Sequence, residues 1–258
     1  MSKIVLQGFL YDDKSSFMKG PALAPPLIRK GYHSTSANYY AENGIEIHPD
    51  LIDDIGDFEI KNYFEIESFT SINLEKGLPV MTLGGDHSIT YPILKAFKEK
   101  YGPISILHID AHSDLYGDFE GDPYSHACPF LNIMKEGLSN DLTQVGIRTL
   151  NAEQRKNAGK YDVNICEMKD FDEFTMPDYK KPIYLSLDID ALDPAFAPGV
   201  SHHEPGGLST RQVLGFIQAI PVPIIGADIV EYNPIRDTNG MTAMVCAKLF
   251  KEIAAKML

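Results

Sequence analysis

Two short acidic segments, Asp110-Ala111-His112-Ser113-Asp114 and Asp188-Ile189-Asp190, each follow an apolar run, and a third apolar run leads into Gly84-Gly85-Asp86-His87-Ser88. No Lys or Arg lies within either acidic segment. An ionised carboxylate held away from water without a partner is costly, and neighbouring carboxylates repel. Divalent cations remove the difficulty. Asp110, Asp114, Asp188 and Asp190 carry four negative charges, which two M²⁺ ions would balance, and His87 and His112 complete an oxygen and imidazole set. Six side chains are too few for two separate octahedral ions, so some carboxylates should bridge, at the roughly 3.5–4 Å spacing of two-metal hydrolytic sites. Oxygen and imidazole without thiolate suit Mn²⁺ better than a structural Zn²⁺.

Each segment taken alone has an ordinary reading. An Asp at a strand end is commonly a turn former or helix cap, and a lone His after Gly-Gly-Asp is commonly a satisfied polar residue. Three such segments, all behind strands, shift the balance toward a metal site. His108 and Asp86 read as hydrogen-bonding neighbours of the ligands rather than ligands. His33 and His48 lie in irregular polar surroundings and carry no chemistry. Gly84-Gly85 is no phosphate loop, because no Gly-Lys-Ser/Thr follows.

These residues need a frame that brings them together. Short β-branched runs predict strands over Lys3–Phe9, Pro79–Leu83, Ile104–Ile109, Leu142–Ile147, Asp162–Ile165, Ile183–Leu187 and Pro223–Ile229. Helical spacing predicts helices near Ala22–Lys30, Glu65–Lys76, Ile89–Lys100, Ala127–Lys135, Thr210–Ala219 and Met241–Lys256, with Ser209 and Gln212 as a capping pair. The alternation predicts an α/β fold on a parallel sheet. Ile104–Ile109 and Ile183–Leu187 are nearly continuous apolar runs, the pattern of central strands covered on both faces. Ligands of such a sheet bind outside the carboxyl ends of its strands, which is where the three segments fall. Residues 31–63 offer no readable strand order, no linker is visible, and one domain over 1–258 is expected.

Whole-chain figures exclude several classes. Of 258 residues 44% are hydrophobic, enough for a sizeable core. Against 36 Asp+Glu stand 23 Lys+Arg, a net charge of −13, so no nucleic-acid partner is expected. No apolar run reaches the length of a membrane span. Met1-Ser2-Lys3-Ile4-Val5-Leu6 lacks the features of a signal peptide. Cys128, Cys166 and Cys246 are odd in number and far apart, which predicts neither disulfides nor a CxxC metal clip. A cytoplasmic location is expected.

The three segments, the last continued as Ala191-Leu192-Asp193-Pro194-Ala195-Phe196-Ala197-Pro198-Gly199, resemble the signatures of the ureohydrolases, the family of arginases and agmatinases. The resemblance extends over most of the chain. It implies a three-layer α/β/α fold with a central, mainly parallel eight-stranded sheet, two Mn²⁺ per subunit, and trimers or hexamers. Carried over by position, His87, Asp110, Asp114 and Asp188 would hold one metal and His112, Asp110, Asp188 and Asp190 the other. His126, in Tyr124-Ser125-His126-Ala127, matches the family's proton shuttle, and Glu231, in Val230-Glu231-Tyr232-Asn233-Pro234, matches the carboxylate that pairs with a substrate guanidinium.

These parts imply the hydrolysis of a small guanidinium substrate to urea and an amine. Metal-acidified water attacks the central carbon, Glu231 grips the cation, the metals and Asp190 stabilise the tetrahedral intermediate, and His126 supplies the leaving amine with a proton. Tyr116 stands where animal-type arginases place Asn, and Thr149-Leu150-Asn151 after Gly146-Ile147-Arg148 lacks their acidic residues. Ser15-Ser16-Phe17-Met18-Lys19-Gly20-Pro21-Ala22, Gly199-Val200-Ser201-His202-His203-Glu204-Pro205-Gly206-Gly207 and Arg236-Asp237-Thr238-Asn239-Gly240-Met241-Thr242-Ala243-Met244 are similar to plant-type arginases. Arginine therefore leads, with agmatine or another guanidino compound as the alternative. His202 and His203 are expected on a loop at the pocket mouth, His203 with a surface role as readily as a selective one. A one-zinc deacetylase of the same superfamily would not need all six ligands, and a silent regulatory protein would be expected to have lost some.

Overall fold

The computed structural model describes residues 3–258. Met1 and Ser2, which open the stretch read as lacking a signal peptide, lie outside them. Among the described residues eight strands form, seven on the apolar runs and β2 outside them: β1 (Ile4–Leu10), β2 (Ile52–Glu59), β3 (Val80–Leu83), β4 (Ser105–Ile109), β5 (Asp141–Ile147), β6 (Asn164–Glu167), β7 (Ile183–Asp188) and β8 (Ile224–Val230). They pair in the order β2-β1-β3-β8-β7-β4-β5-β6, and every pairing is parallel. The connections carry α1 (Ala24–Tyr32), α2 (Glu65–Leu74), α3 (Thr90–Tyr101), α4 (Pro129–Lys135), α5 (Ala152–Lys160), α6 (Thr210–Ala219) and α7 (Met241–Met257). None of these helices is long and apolar enough to cross a membrane.

Alternation along the strands sends neighbouring side chains into two separate cores. On one face Ile4, Leu6, Leu107 and Ile109 pack with Ile28 of α1, Ile217 of α6 and Phe250 of α7. On the other, Val5, Phe9 and Ile106 pack with Ile66 of α2, Phe97 of α3 and Phe130 of α4. The result is the expected three-layer α/β/α arrangement, with an eight-stranded sheet buried on both sides at its centre. The capping pair at Ser209 and Gln212 forms as read, each side chain meeting the other's backbone N–H.

Two elements escape the apolar pattern. β2 reads Ile-Asp-Asp-Ile-Gly-Asp-Phe-Glu and lies on the sheet edge, with none of its residues fully buried. Its carboxylates are engaged from outside: Asp54 with Arg29 Nε at 2.9 Å and Asp53 with Lys76 Nζ at 2.7 Å. α5 buries only Gln154 and Ala158, so it lacks an apolar stripe; its visible signal is the Asn151–Gln154 capping box.

The strand order puts β3, β8, β7 and β4 side by side; residues 84–88 follow β3, residues 110–114 follow β4, and residues 188–190 start on the last residue of β7. Close approach at the end of β3 depends on Gly85. A Cβ there would stand 1.6 Å from the Tyr11 carbonyl oxygen. That carbonyl accepts from Asp86 N–H at 3.0 Å, and the Gly85 carbonyl accepts from Glu231 N–H at 2.9 Å. Gly85→Ala should therefore destabilise the fold by about 1–3 kcal/mol or more through overpacking, read as a lowered denaturant midpoint.

Candidate metal centre

His87 starts the one-turn 3₁₀ helix after β3, capped by Asp86. Ser186 Oγ donates its one proton to Asp228 Oδ1 at 2.7 Å, so it accepts from His87 Nε2–H, 2.9 Å away. In the neutral ring this leaves Nδ1 as a bare lone pair. Nδ1 is buried without a hydrogen-bond partner, yet the Oδ2 atoms of Asp110, Asp114 and Asp188 stand 3.1, 3.2 and 3.2 Å from it. Burial lowers the proton affinity of His87, and the three carboxylates raise it well above that of a free imidazole. A proton on Nδ1 would nonetheless meet none of them in hydrogen-bond geometry. Four electron-rich atoms facing one space are satisfied together by a cation.

A second group adjoins the first. His112 Nδ1 lies 3.0 Å from Asp190 Oδ2 and 3.5 Å from Asp110 Oδ1. The two groups meet at Asp110 through its two different oxygens, and Asp110, His112 and Asp190 have the spacing to hold an ion. The acidic segments do not continue their strands in extended form. Asp188 Oδ1 accepts from Asp190 N–H at 2.7 Å and Asp110 Oδ1 from His112 N–H at 2.6 Å, so each segment is wound into a turn by its own first aspartate. Asp114 and Glu231 both take positive φ, 50° and 62°, a conformation that costs a non-glycine residue energy and gathers at functional sites.

The surrounding hydrogen bonds fix the rings. Gln144 Nε2 donates to His108 Nδ1 at 3.0 Å, so His108 presents Nε2–H to Asp110 Oδ2 at 2.8 Å. Burial lowers the His108 pKa, and the neutral ring stacks on Phe130 with centroids 3.8 Å apart. His108 thus orients Asp110. Sequence reasoning missed Asp228, a carboxylate inside the apolar strand β8 that accepts from Thr90, Tyr184 and Ser186 hydroxyls at 2.7–2.8 Å. Its signal was available: one buried acid within Ile224–Val230.

His126 and Glu231 come together on the same rim. Ser16 N–H, which can only donate, points at His126 Nε2 at 3.1 Å. The neutral ring therefore carries its proton on Nδ1, 2.8 Å from Glu231 Oε1. Burial lowers the His126 pKa, and Glu231 overrides it, raising the value to about 9. A second proton, on Nε2, would find the Ser16 hydroxyl 2.8 Å away. Asp86 holds this loop by accepting from Lys14 N–H at 3.0 Å and Ser15 Oγ at 3.3 Å. Glu231 Oε1 also accepts from His87 N–H at 2.9 Å. Both bonds fall on Oε1, leaving Oε2 free of protein donors among the described residues.

A cavity of about 200 Å³ opens over these groups, with His112, Asp114, Asp188, Asp190, His126 and Glu231 in its walls. His87 and Asp110 lie beneath it, at most 1% exposed. A larger cavity, about 550 Å³, sits at the opposite rim beside Tyr179 and holds none of these residues. His202 lines the site's cavity; burial pushes its pKa down, so its ring is neutral. His203 faces outward, between the Pro198 carbonyl at 2.8 Å and Arg236 at 2.9 Å.

Burial, reinforced by Asp190 and Asp110, pushes the Asp188 carboxyl well above the ordinary carboxylate range. A carboxyl raised on folding binds more protons folded than unfolded, so its contribution to stability falls as pH climbs from about 4. Metal-free protein should lose stability from this group over that rise, and a divalent cation bound at the site should restore it by a margin that grows with pH. At a hundredfold excess over Kd the gain is about 2.7 kcal/mol, roughly 5–10 °C in Tm for a chain of this size. Calorimetry at pH 5 and pH 8, with and without chelator, checks both signs.

Comparison with known proteins agrees with this architecture. The model of the Arginase family matches residues 2–255. Arginase 1, mitochondrial, of Arabidopsis thaliana is 44% identical over 98% of this chain and 80% of its own length. The solved arginase of Medicago truncatula superposes with a TM-score of 0.90 at 41% identity, over 99% of this chain and 87% of that one. A hypothetical agmatinase from Burkholderia thailandensis gives 0.87 at 32% identity, over 99% and 85%. With a family model spanning nearly its whole length, this chain belongs to the arginase family.

Proposed function

We propose that this protein is a manganese hydrolase, with two Mn²⁺ per subunit, that splits L-arginine into L-ornithine and urea within one domain over 1–258. The observation that carries the reading is Glu231 Oε2, free of protein donors on the wall of a cavity floored by two His–Asp groups. His87, Asp110, Asp114 and Asp188 would hold one ion, and His112, Asp110, Asp188 and Asp190 the other. The bare Nδ1 of His87 among three carboxylate oxygens fits that assignment. When bound, the ions supply the acidification that makes water a nucleophile at neutral pH. Glu231 binds the planar cation by charge-assisted hydrogen bonds and aims its central carbon at the floor. Asp190 would stabilise the charge that develops as attack proceeds, and His126 would pass a proton to the departing amine.

The name of the Arabidopsis relative supports arginine. One observation favours the second reading, agmatine. No Lys or Arg lines the cavity among the described residues, and Arg148 is spent on the carbonyls of Glu204 and Asp190 at 2.6–2.9 Å. An α-carboxylate would then rely on neutral donors. Urea release with added Mn²⁺ from arginine, agmatine, guanidinobutyrate and guanidine tests both. The expected result is a kcat/KM for arginine at least about tenfold above the rest, the margin a single well-made contact provides. A preference for agmatine moves the assignment to the second reading, and no urea from any of them overturns it.

A cytoplasmic setting rests on three unpaired, buried cysteines, whereas the Arabidopsis relative is named mitochondrial. A homotrimer or hexamer is what the family resemblance implies, and exposed apolar side chains such as Ile235 and Met241, 64% and 54% exposed, are compatible with an interface; sedimentation tests it.

A further inference from the structure

His202 is held at the site with an unspent polar atom. Its Nε2 is buried and has no hydrogen-bond partner. The ring centroid lies 5.5 Å from that of His126 and 5.7 Å from that of His112, so His202 bridges the two halves of the site. Phe17 stands 5.5 Å from it. The backbone on either side is fixed. Ser201 Oγ donates to the Met18 carbonyl at 3.0 Å and accepts from Asn233 Nδ2 at 2.9 Å. The Glu204 carbonyl takes two donors from Arg148, at 2.6 and 2.9 Å. A buried polar atom without a partner is destabilising, and its survival in a firmly anchored loop calls for a group that arrives later.

We propose that His202 is a substrate-recognition residue whose Nε2 accepts an N–H of the bound guanidino compound, as a second acceptor beside Glu231 Oε2. The chemistry matches in one direction. A guanidinium has only N–H donors and no acceptor, and a neutral imidazole offers one lone pair. This inference rests on the reading of the site as one for guanidino compounds.

The test uses His202→Phe, which keeps a ring and removes both nitrogens, and His202→Gln, which keeps a hydrogen-bonding carbonyl. Both are loaded with Mn²⁺ and compared with the unaltered protein. Manganese content, steady-state kinetics on the best guanidino substrate, and calorimetric binding of guanidinium chloride are measured. In His202→Phe, KM and the guanidinium Kd should each rise roughly tenfold to a hundredfold, the factor one hydrogen bond to a charged group is worth. Turnover should change less than about threefold, manganese should stay unchanged, and His202→Gln should recover part of the loss. Unchanged KM and Kd in both variants would overturn the proposal, since the ring would then only fill space. A fall in manganese content in both would overturn it in favour of a ligand role. Should His202→Phe fail to fold, His202→Gln still decides, through a smaller rise or none. An unaltered protein that binds guanidinium chloride in a His202-dependent way but releases no urea would sink the hydrolase reading and leave this inference standing.

Discussion

Asp188→Ala should strip the protein of bound divalent cation and of activity together, while leaving the metal-free fold no less stable. The carboxylate takes part in both halves of the site. Its Oδ2 lies 3.2 Å from His87 Nδ1, facing the same space as Asp110 and Asp114. Its Oδ1 accepts the Asp190 N–H at 2.7 Å and so shapes the turn that presents Asp190. Loss of a residue that merely supports a ligand already costs 10–100-fold in metal affinity, so loss of one in direct reach of the ion should cost more. Elemental analysis should find less than about one ion per chain, and kcat/KM should drop by at least about 10³, the contribution such an ion makes by supplying a nucleophile. Stability gives the opposite sign. Burial and repulsion from Asp190 and Asp110 raise the Asp188 carboxyl, so the charged form opposes folding when no cation is bound. Chelator should therefore lower the Tm of the unaltered protein and leave that of the variant where it was. A variant with full metal content and no activity would refute the ligand role.

The parts of the site that could be read beforehand share one physical origin. Strand β4 closes on Ile109 just before Asp110, and β7 runs through Leu187 into Asp188 as its own last residue; a mostly apolar central strand that turns acidic at its carboxyl end is placing those acids at the ligand-binding rim. Asp110, Asp188 and their neighbours were legible on that ground. β2 was not, because an edge strand with acids facing Arg29 and Lys76 has no apolar alternation to reveal it. α5 was invisible to periodicity for a similar reason, with two buried residues and a polar remainder. Asp228 was hidden differently. One acid within an apolar strand gives no spacing to interpret, and its meaning appears only when Ser186 and His87 line up with it across two strands. Ring tautomers belong to the same class. Which nitrogen of His87, His108 or His126 holds the proton follows from Ser186, Gln144 and Ser16, partners distant in the chain. Gly85 sits in a motif readable at once, but its function as the space for the Tyr11 carbonyl is a tertiary fact.

Glu231→Gln should leave metal content intact and cut kcat/KM by about 10²–10³, the scale of removing one preorganised electrostatic contact from an active site. The amide is nearly isosteric, and its carbonyl can keep the position of Oε1, which accepts from His87 N–H at 2.9 Å and His126 Nδ1–H at 2.8 Å. That orientation turns the amide NH₂ to the cavity. A donor then faces a substrate that carries only donors, so KM should rise more than kcat falls. His126→Asn should behave in the reverse manner: KM little changed, kcat down by about 10²–10⁴ as for a lost general acid, manganese unaltered. The two variants also differ in pH behaviour. In the unaltered, metal-free protein Glu231 raises His126 to about 9 on folding, above an ordinary value near 6.5. The stability this contributes is full below pH 6.5 and is lost as pH rises through 9. Removing the anion leaves burial, which lowers the His126 pKa, opposed by the smaller pull of Asp86 and Asp114. Metal-free Glu231→Gln should therefore show a shallower decline between pH 6.5 and 9 than the unaltered protein. Thermal denaturation across that window measures the difference, and equal slopes in the two proteins would show that His126 and Glu231 do not share a proton-dependent ion pair.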